Sequence, residues 1–226
     1  IKSMKNAPWI ICTITALLTI AQVIVKASTT VYYSTNVLQN AGMSSTLLSI
    51  ANIIGIPITL LIPVIASKIG NRNIVWLGAV FGVAGNIGIY FLKFNSAAVI
   101  ACAVVASVGT AFVNGIMYVM SAESIDYGEW KQGIRVQGFL MAFVGFAVKI
   151  ANSLVQMLIT AILNMGGYDG SVAVQTASAV KSIEFCYVWV PMILFAVVFV
   201  INGFYKLDKI YPQVRADLDK KRNAEM

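Results

Sequence analysis

The sequence predicts an all-α membrane protein built as a bundle of six transmembrane helices. Three observations carry that expectation. Hydrophobic residues fill 59% of the 226 positions and charged residues only 11%, where an ordinary soluble domain is about 45–50% apolar and about 25% charged. The mean hydropathy is +0.82, more apolar surface than a water-soluble fold can bury. Several apolar runs also reach the roughly 20 residues that cross a hydrocarbon core about 30 Å thick, with short polar knots between them.

The first run opens after Asn6-Ala7-Pro8-Trp9 and extends to about Leu38, with Lys26 and a series of Ser, Thr and Tyr in its far half. The second covers about Met43 to Ala66, and Pro57 and Pro63 within it remove backbone donors, which makes either a static kink or a hinge. A polar turn through Gly70 leads to a third run from about Ile74 to Leu92. It carries Gly78, Gly82, Gly85 and Gly88, and its GxxxG spacing favours close helix packing over a substrate contact. The fourth runs from about Ala97 to Met120 and ends in the acid-rich knot Ser121 to Lys131. The fifth covers about Val136 to Leu163 and the sixth about Phe185 to Phe204. Residues 1–205 are thus expected to form the membrane domain. Residues 206–226 form a charged tail in which Ile210, Val214 and Leu218 recur every four positions, the pattern of a short amphipathic helix that docks on the bundle or floats at its surface.

The net charge of +7 follows topology. Lys2, Lys5, Lys68, Arg72, Lys131, Arg135 and the basic residues of the tail fall on one side, against Lys93 and Lys181 on the other. The positive-inside rule makes the first side, and both termini, cytoplasmic. These charges sit in interhelical knots without interleaved aromatics, so nucleic acid is not an expected partner, whereas the lipid bilayer is. Residue 1 is Ile, and the chain reads as a piece of a longer protein.

The chain contains no His. That removes the usual general base, the Ser–His and Cys–His nucleophile pairs and the commonest metal ligand, so neither an enzyme nor a metal site is expected. Cys12, Cys102 and Cys186 lie inside apolar runs with no ligand spacing.

Lys149 is the most informative polar residue. It stands about 13 residues, or roughly 20 Å of helix, beyond Val136, too deep to snorkel readily. A cation there marks an ion or substrate pathway, or else pairs with a carboxylate to tie helices together. Asn152, three residues on, shares its face and extends a polar lining. Asn114, between Gly109 and Gly115, is an amide at membrane depth that serves either a sugar hydroxyl or a neighbouring helix. Lys26 lies roughly 27 Å along its helix from Pro8 and is expected to snorkel to the outer interface. Glu123, Asp126 and Glu129, with Lys131 and Arg135, are either solvated helix ends or a set of ion pairs that opens and closes an inner gate.

The stretch from Ala122 to Arg135 resembles the Asp-Tyr-Gly-Glu-aromatic-Lys signature of the glycoside–pentoside–hexuronide:cation symporters, relatives of the melibiose permease within the major facilitator superfamily. Lys149 falls fourteen residues after Arg135, where that family keeps a lysine. Weaker matches lie at Asn6-Ala7-Pro8-Trp9, Tyr32-Tyr33, Gly167-Tyr168 through Gln175, and Tyr211-Pro212. Two departures are that Glu123 stands where relatives often have Asp, and that no Trp occurs between Trp76 and Trp130, so the fourth helix offers no indole platform for a sugar ring.

The resemblance implies the carboxy-terminal, six-helix half of a sugar:cation symporter in the cell membrane. Such a protein binds its sugar between two halves, works by alternating access and couples to Na⁺ or H⁺ with no other cofactor. It implies a role for Lys149 near the sugar and cation sites and a cytoplasmic gating role for Glu123, Asp126, Glu129 and Arg135. The cation-binding carboxylates would belong to the amino-terminal half. The rival expectations are a lipid or amphiphile carrier on the same fold and a six-span scaffold or channel.

Overall fold

The computed structural model describes residues 6–133 and 137–224. Six helical stretches among them are long and apolar enough to cross a membrane. The first, α1, is Ala7–Asn36; Asn6 caps it by accepting the Trp9 N–H, and Pro8 sits in its first turn, where no backbone donor is missed. Next come α2 (Met43–Ile69), α3 (Asn71–Phe91), α4 (Ser96–Gln132) and α5 (Gln137–Met165). The sixth crossing joins α6 (Ala177–Glu184) to α7 (Val190–Asn202) through a π-turn at Phe185–Trp189, so it starts two turns earlier than its hydrophobicity predicts. The acid-rich knot is the last part of α4, which runs unbroken to Gln132 and ends at Gly133 in a left-handed cap (φ 69°). The tail folds as α8, Tyr211–Ala224.

Only Gly70 separates α2 from α3. Its φ of 82° lies where a side chain is strained, and an added Cβ would meet the Asp208 carboxylate at 3.2 Å. The glycines of α3 are a packing surface: Cβ atoms at Gly78, Gly85 and Gly88 would overlap Val113, Ala106 and Cys102 of α4. From the other side, one at Gly109 would overlap the backbone of Gly78 and Gly82. This close approach makes α3 and α4 a tight pair, and α7 joins it through Phe195 against Gly82 and through the Trp76 indole, which donates to the Phe199 carbonyl (3.0 Å).

The helices alternate in direction, so Asn6, Ile69, Asn71, Gln132 and Asn202 share one end of the bundle, the tail end, and Asn36, Met43, Phe91 and Ala177 share the far end. The apolar interior forms two separate cores. One, at the tail end, includes Cys12, Ile74, Val113, Met120, Phe195 and Leu207; the other, at the far end, includes Val25, Ile89, Ala103, Ile159, Ile183 and Tyr187. Between them lies a layer of polar side chains: Thr15, Thr19 and Gln22 of α1, Asn86 of α3 and Thr110 of α4.

Burial is uneven. In α3 and in the α6–α7 crossing 44% of the apolar window is buried inside the bundle, against 6% in α2 and 17% in α5. The last two therefore present long faces outward. The tail docks: Val214 and Leu218 are buried against the tail-end part of α4, while Ile210, the third residue of the apolar repeat, stays exposed.

Candidate functional site

Helix α1 owes its inner face to polar residues at helical spacing: Thr15, Thr19, Gln22, Lys26 and Thr30 follow one another at intervals of three or four and turn one stripe inward. Thr19 and Thr30 donate their hydroxyls to backbone carbonyls one turn back, at 2.7 Å and 2.6 Å, and so cost little in an apolar surround. Gln22 and Lys26 have longer reach and open onto a cavity of about 270 Å³ between α1, α2 and α4. Its polar lining is Gln22, Lys26, Thr30, Asn52, Ser107, Thr110 and Asn114, set among small and aliphatic side chains. The Thr110 hydroxyl lies 3.4 Å from Gln22 Oε1. A few convergent amide, hydroxyl and amine groups in an apolar wall are chemically suited to orient a polar solute by hydrogen bonds.

Lys26 does not snorkel. Its Nζ donates to the Tyr187 carbonyl at 3.0 Å and stands over the Tyr187 ring, 3.6 Å from the centroid. The local sequence explains why that carbonyl takes an outside donor. The helical partner of Tyr187 would be the N–H of residue 191, and residue 191 is proline. The π-turn that precedes it, closed by Val190 N–H on Phe185, marks the same break in the ladder. Among the described residues Lys26 makes no ion pair; the salt bridge of the far end joins Lys93 to Glu184 at 2.6 Å.

A second cavity, also of about 270 Å³, lies between α1, α4 and α5 and is mostly apolar, with Trp9, Ile20, Met117, Ile125 and Val148 in its wall. Asn114 lines both cavities. Of the predicted site residues that the structure describes, it is the one that lines these two cavities. Lys149 and Asn152 line neither, although Val148 beside Lys149 does. Both are exposed on the open face of α5, in a stripe that continues through Ser153, Gln156 and Thr160. Gln156 ties that stripe to α1 by donating to the Ser28 hydroxyl at 2.7 Å.

At the tail end two of the predicted gate acids meet different elements. Glu123 accepts from Asn71 of α3 at 2.6 Å, and Asp126 accepts from the Tyr211 hydroxyl of α8 at 3.1 Å. One turn on, Trp130 donates to Asp217 of α8 at 3.0 Å. Glu129 shares this last stretch of α4, and Arg135 lies outside the described residues. Two further groups complete the cluster. Asn6 donates to the Ser124 carbonyl at 2.6 Å, and Asp208 accepts the Arg72 N–H at 2.9 Å while its other oxygen is buried without a partner. Burial holds the Asp208 carboxyl above the ordinary carboxylate range, against the Arg72 N–H and charge, which pull it down.

Sequence reasoning missed Gln22, Asn71 and Asp208. The 3–4 spacing of polar residues along α1 was the available signal for Gln22. Asn71 and Asp208 lie at helix ends where polar residues are ordinary, and only the packing of α3, α4 and the tail reveals them.

A family model described as MFS/sugar transport protein matches residues 2–209. The isoprimeverose transporter of Lactiplantibacillus pentosus is 32% identical over all of this chain and 47% of its own length. The glucuronide carrier protein homolog of Escherichia coli (strain K12) is 25% identical over 98% of this chain and 49% of its own. An uncharacterised symporter of Bacillus subtilis (strain 168) is 32% identical over 71% of this chain and 35% of its own. The chain thus spans about half the length of the curated relatives it matches.

Proposed function

The chain belongs to the MFS/sugar transport protein family, and from that membership we propose that it forms one half of a secondary active transporter that carries a sugar together with Na⁺ or H⁺ by alternating access. The observation that carries the proposal is the cavity between α1, α2 and α4, a cluster of amides, hydroxyls and one ammonium at bilayer depth, set between two apolar cores. Amides and hydroxyls match the many hydroxyls of a sugar ring, and the names of the relatives point to sugars and their glycosides as the solute class.

A second, amino-terminal half supplies what this chain lacks. The faces of α2 and α5 that it leaves open are long, and that of α5 carries Lys149, Asn152 and Gln156, polar groups that lipid does not accept. A partner bundle across a water-filled cleft accounts for both. Lys149 then stands in the cleft, where it responds to the coupling cation and to carboxylates of the opposite half. Asn114 sits on the sugar side, and Asn152 extends the polar wall toward Lys149.

By the positive-inside rule the tail end is cytoplasmic. Glu123, Asp126, Glu129 and Arg135 then surround the inner mouth, and rocking of the halves makes and breaks their contacts. The Asn71–Glu123 and Tyr211–Asp126 bonds fix the acids within this half, so the gate acts as a preset ledge that the opposite half meets.

The second cavity favours one alternative, a carrier of lipids or other amphiphiles, because its apolar wall suits an acyl chain and Asn114 connects it to the polar site. One assay separates the two. Vesicles holding the complete protein are given a panel of radiolabelled glycosides and a labelled lysolipid, with and without a Na⁺ or H⁺ gradient. Gradient-driven accumulation of a glycoside is expected; accumulation of the lysolipid alone, or of nothing, sinks the sugar reading.

A further inference from the structure

We propose that Lys26 is a specificity-determining residue for transport, its ammonium engaging an acidic oxygen group, a carboxylate or sulfonate, borne by the sugar in the cavity between α1, α2 and α4. The inference rests on the sugar-transport reading and goes beyond it, because the polar amides of the cavity are indifferent to substrate charge and Lys26 is not.

Capping the Tyr187 carbonyl explains a donor at this position but not a cation. Glutamine, long enough and neutral, would supply one N–H to that oxygen without the cost of a charge at bilayer depth. Lys26 lies ten residues inside the far end of α1, about 15 Å along the helix. The Tyr187 ring stabilises the charge in part, and stabilises it from one side. An ammonium has three N–H groups, of which the carbonyl takes one. The amine belongs to the cavity wall, beside Gln22, Thr30, Ser107 and Asn114. No carboxylate among the described residues pairs with it. An amine held in one place with donors to spare, in a cavity sized for a small solute and furnished with hydroxyl-matching groups, is complementary to a sugar that carries a negative group, which favours the amine's protonated form. Tyr187 and Pro191 make the position rigid: the proline frees the carbonyl, the carbonyl and ring hold the amine, and the amine keeps one orientation toward the cavity. A carboxylate from the opposite half is the competing source of the anion, and it predicts a different result.

The test uses the complete transporter in proteoliposomes with two matched probes, methyl glucuronide and methyl glucoside, which differ in a carboxylate against a hydroxymethyl group. In the wild type, glucuronide is expected to displace labelled glucoside at a concentration about tenfold lower than glucoside itself, as one charge-assisted hydrogen bond allows. In Lys26→Gln the glucuronide-to-glucoside uptake ratio falls about tenfold, whereas Lys26→Arg holds it within about twofold. A ratio unmoved by Lys26→Gln, even with both uptakes reduced together, overturns the proposal and assigns the anion to the opposite half. Wild-type competition that favours the glucoside also overturns it, whatever the folding of the variants. Uptake of neither probe by the wild type overturns the sugar reading instead, and the assignment of Lys26 with it.

Discussion

At the scale of single residues, a donor deficit at one carbonyl sets the place of Lys26. Pro191 leaves Tyr187 without its helical N–H, and Lys26, far away in sequence, supplies the missing proton donor. Lys26→Met should therefore cost about 1–3 kcal/mol, the usual price of a buried acceptor left without a partner. Pro191→Ala restores an N–H and should recover much of that loss, so a double-mutant cycle on detergent-solubilised protein should give a coupling of about 1 kcal/mol. Strict additivity would show that the Lys26–Tyr187 bond carries no stability. Lys149 makes the opposite prediction. It is exposed and outside the packed interior, so Lys149→Ala should leave insertion and thermal stability unchanged and abolish gradient-driven accumulation in the complete transporter. Vigorous accumulation by that variant would remove Lys149 from the mechanism. The two lysines also mark how far residue-level reading reaches. That each stood near or within the membrane followed from hydrophobicity, and Asn114 was legible as an amide at depth. The inward turn of Lys26 depended on a proline in another helix, a pairing with no local trace.

At the scale of elements, spans and packing were largely readable, because a glycine row and an uninterrupted apolar run depend on local composition. The ends were not. Hydrophobicity stops at Met120, whereas α4 continues to Gln132 because Asn71, Asn6 and Tyr211 satisfy its polar last turns from neighbouring elements. The sixth crossing begins at Ala177 for a similar reason: Thr176 caps it, and Glu184 is buried with Lys93 as its partner. The tail shows what such contacts are worth. Leu218→Ala should loosen α8 and cost about 2 kcal/mol of the tail's docking, seen as faster proteolysis after Lys206; a cleavage rate equal to wild type would mean that the tail is held elsewhere. Asp208 makes the same junction sensitive to pH. A carboxyl held above its unfolded value binds its proton more tightly in the folded state, so its contribution to stability is fully present below the ordinary carboxylate range and is lost as pH rises through the raised value. Thermal melts should therefore show the junction gaining stability as pH falls through that window, and Asp208→Asn, which keeps an acceptor for the Arg72 N–H, should flatten the dependence. An unchanged slope in the variant would place the titration in another group.

At the scale of the whole molecule, the bundle is two apolar cores with a polar layer between them, opened on one side by a cavity and bordered by faces of α2 and α5 that this chain leaves uncovered. On the proposed function, that arrangement would give a solute a polar station midway across an apolar barrier. It also explains why the site was only half visible in the sequence: its wall combines side chains from three helices that are far apart along the chain. On the proposed function, the path of the sugar runs through this polar layer. Ser107 and Asn114 lie in its wall, whereas Ser171 lies in an exposed turn away from it. Each is replaced singly by Cys in a complete transporter whose native Cys12, Cys102 and Cys186 are changed to Ala, and labelled with a hydrophilic maleimide in the presence and absence of a transported glycoside. Ser107→Cys and Asn114→Cys are expected to react from water and to be slowed by the glycoside, while Ser171→Cys reacts at the same rate with or without it. Labelling at 107 and 114 that ignores the glycoside, or no labelling there at all, would contradict it.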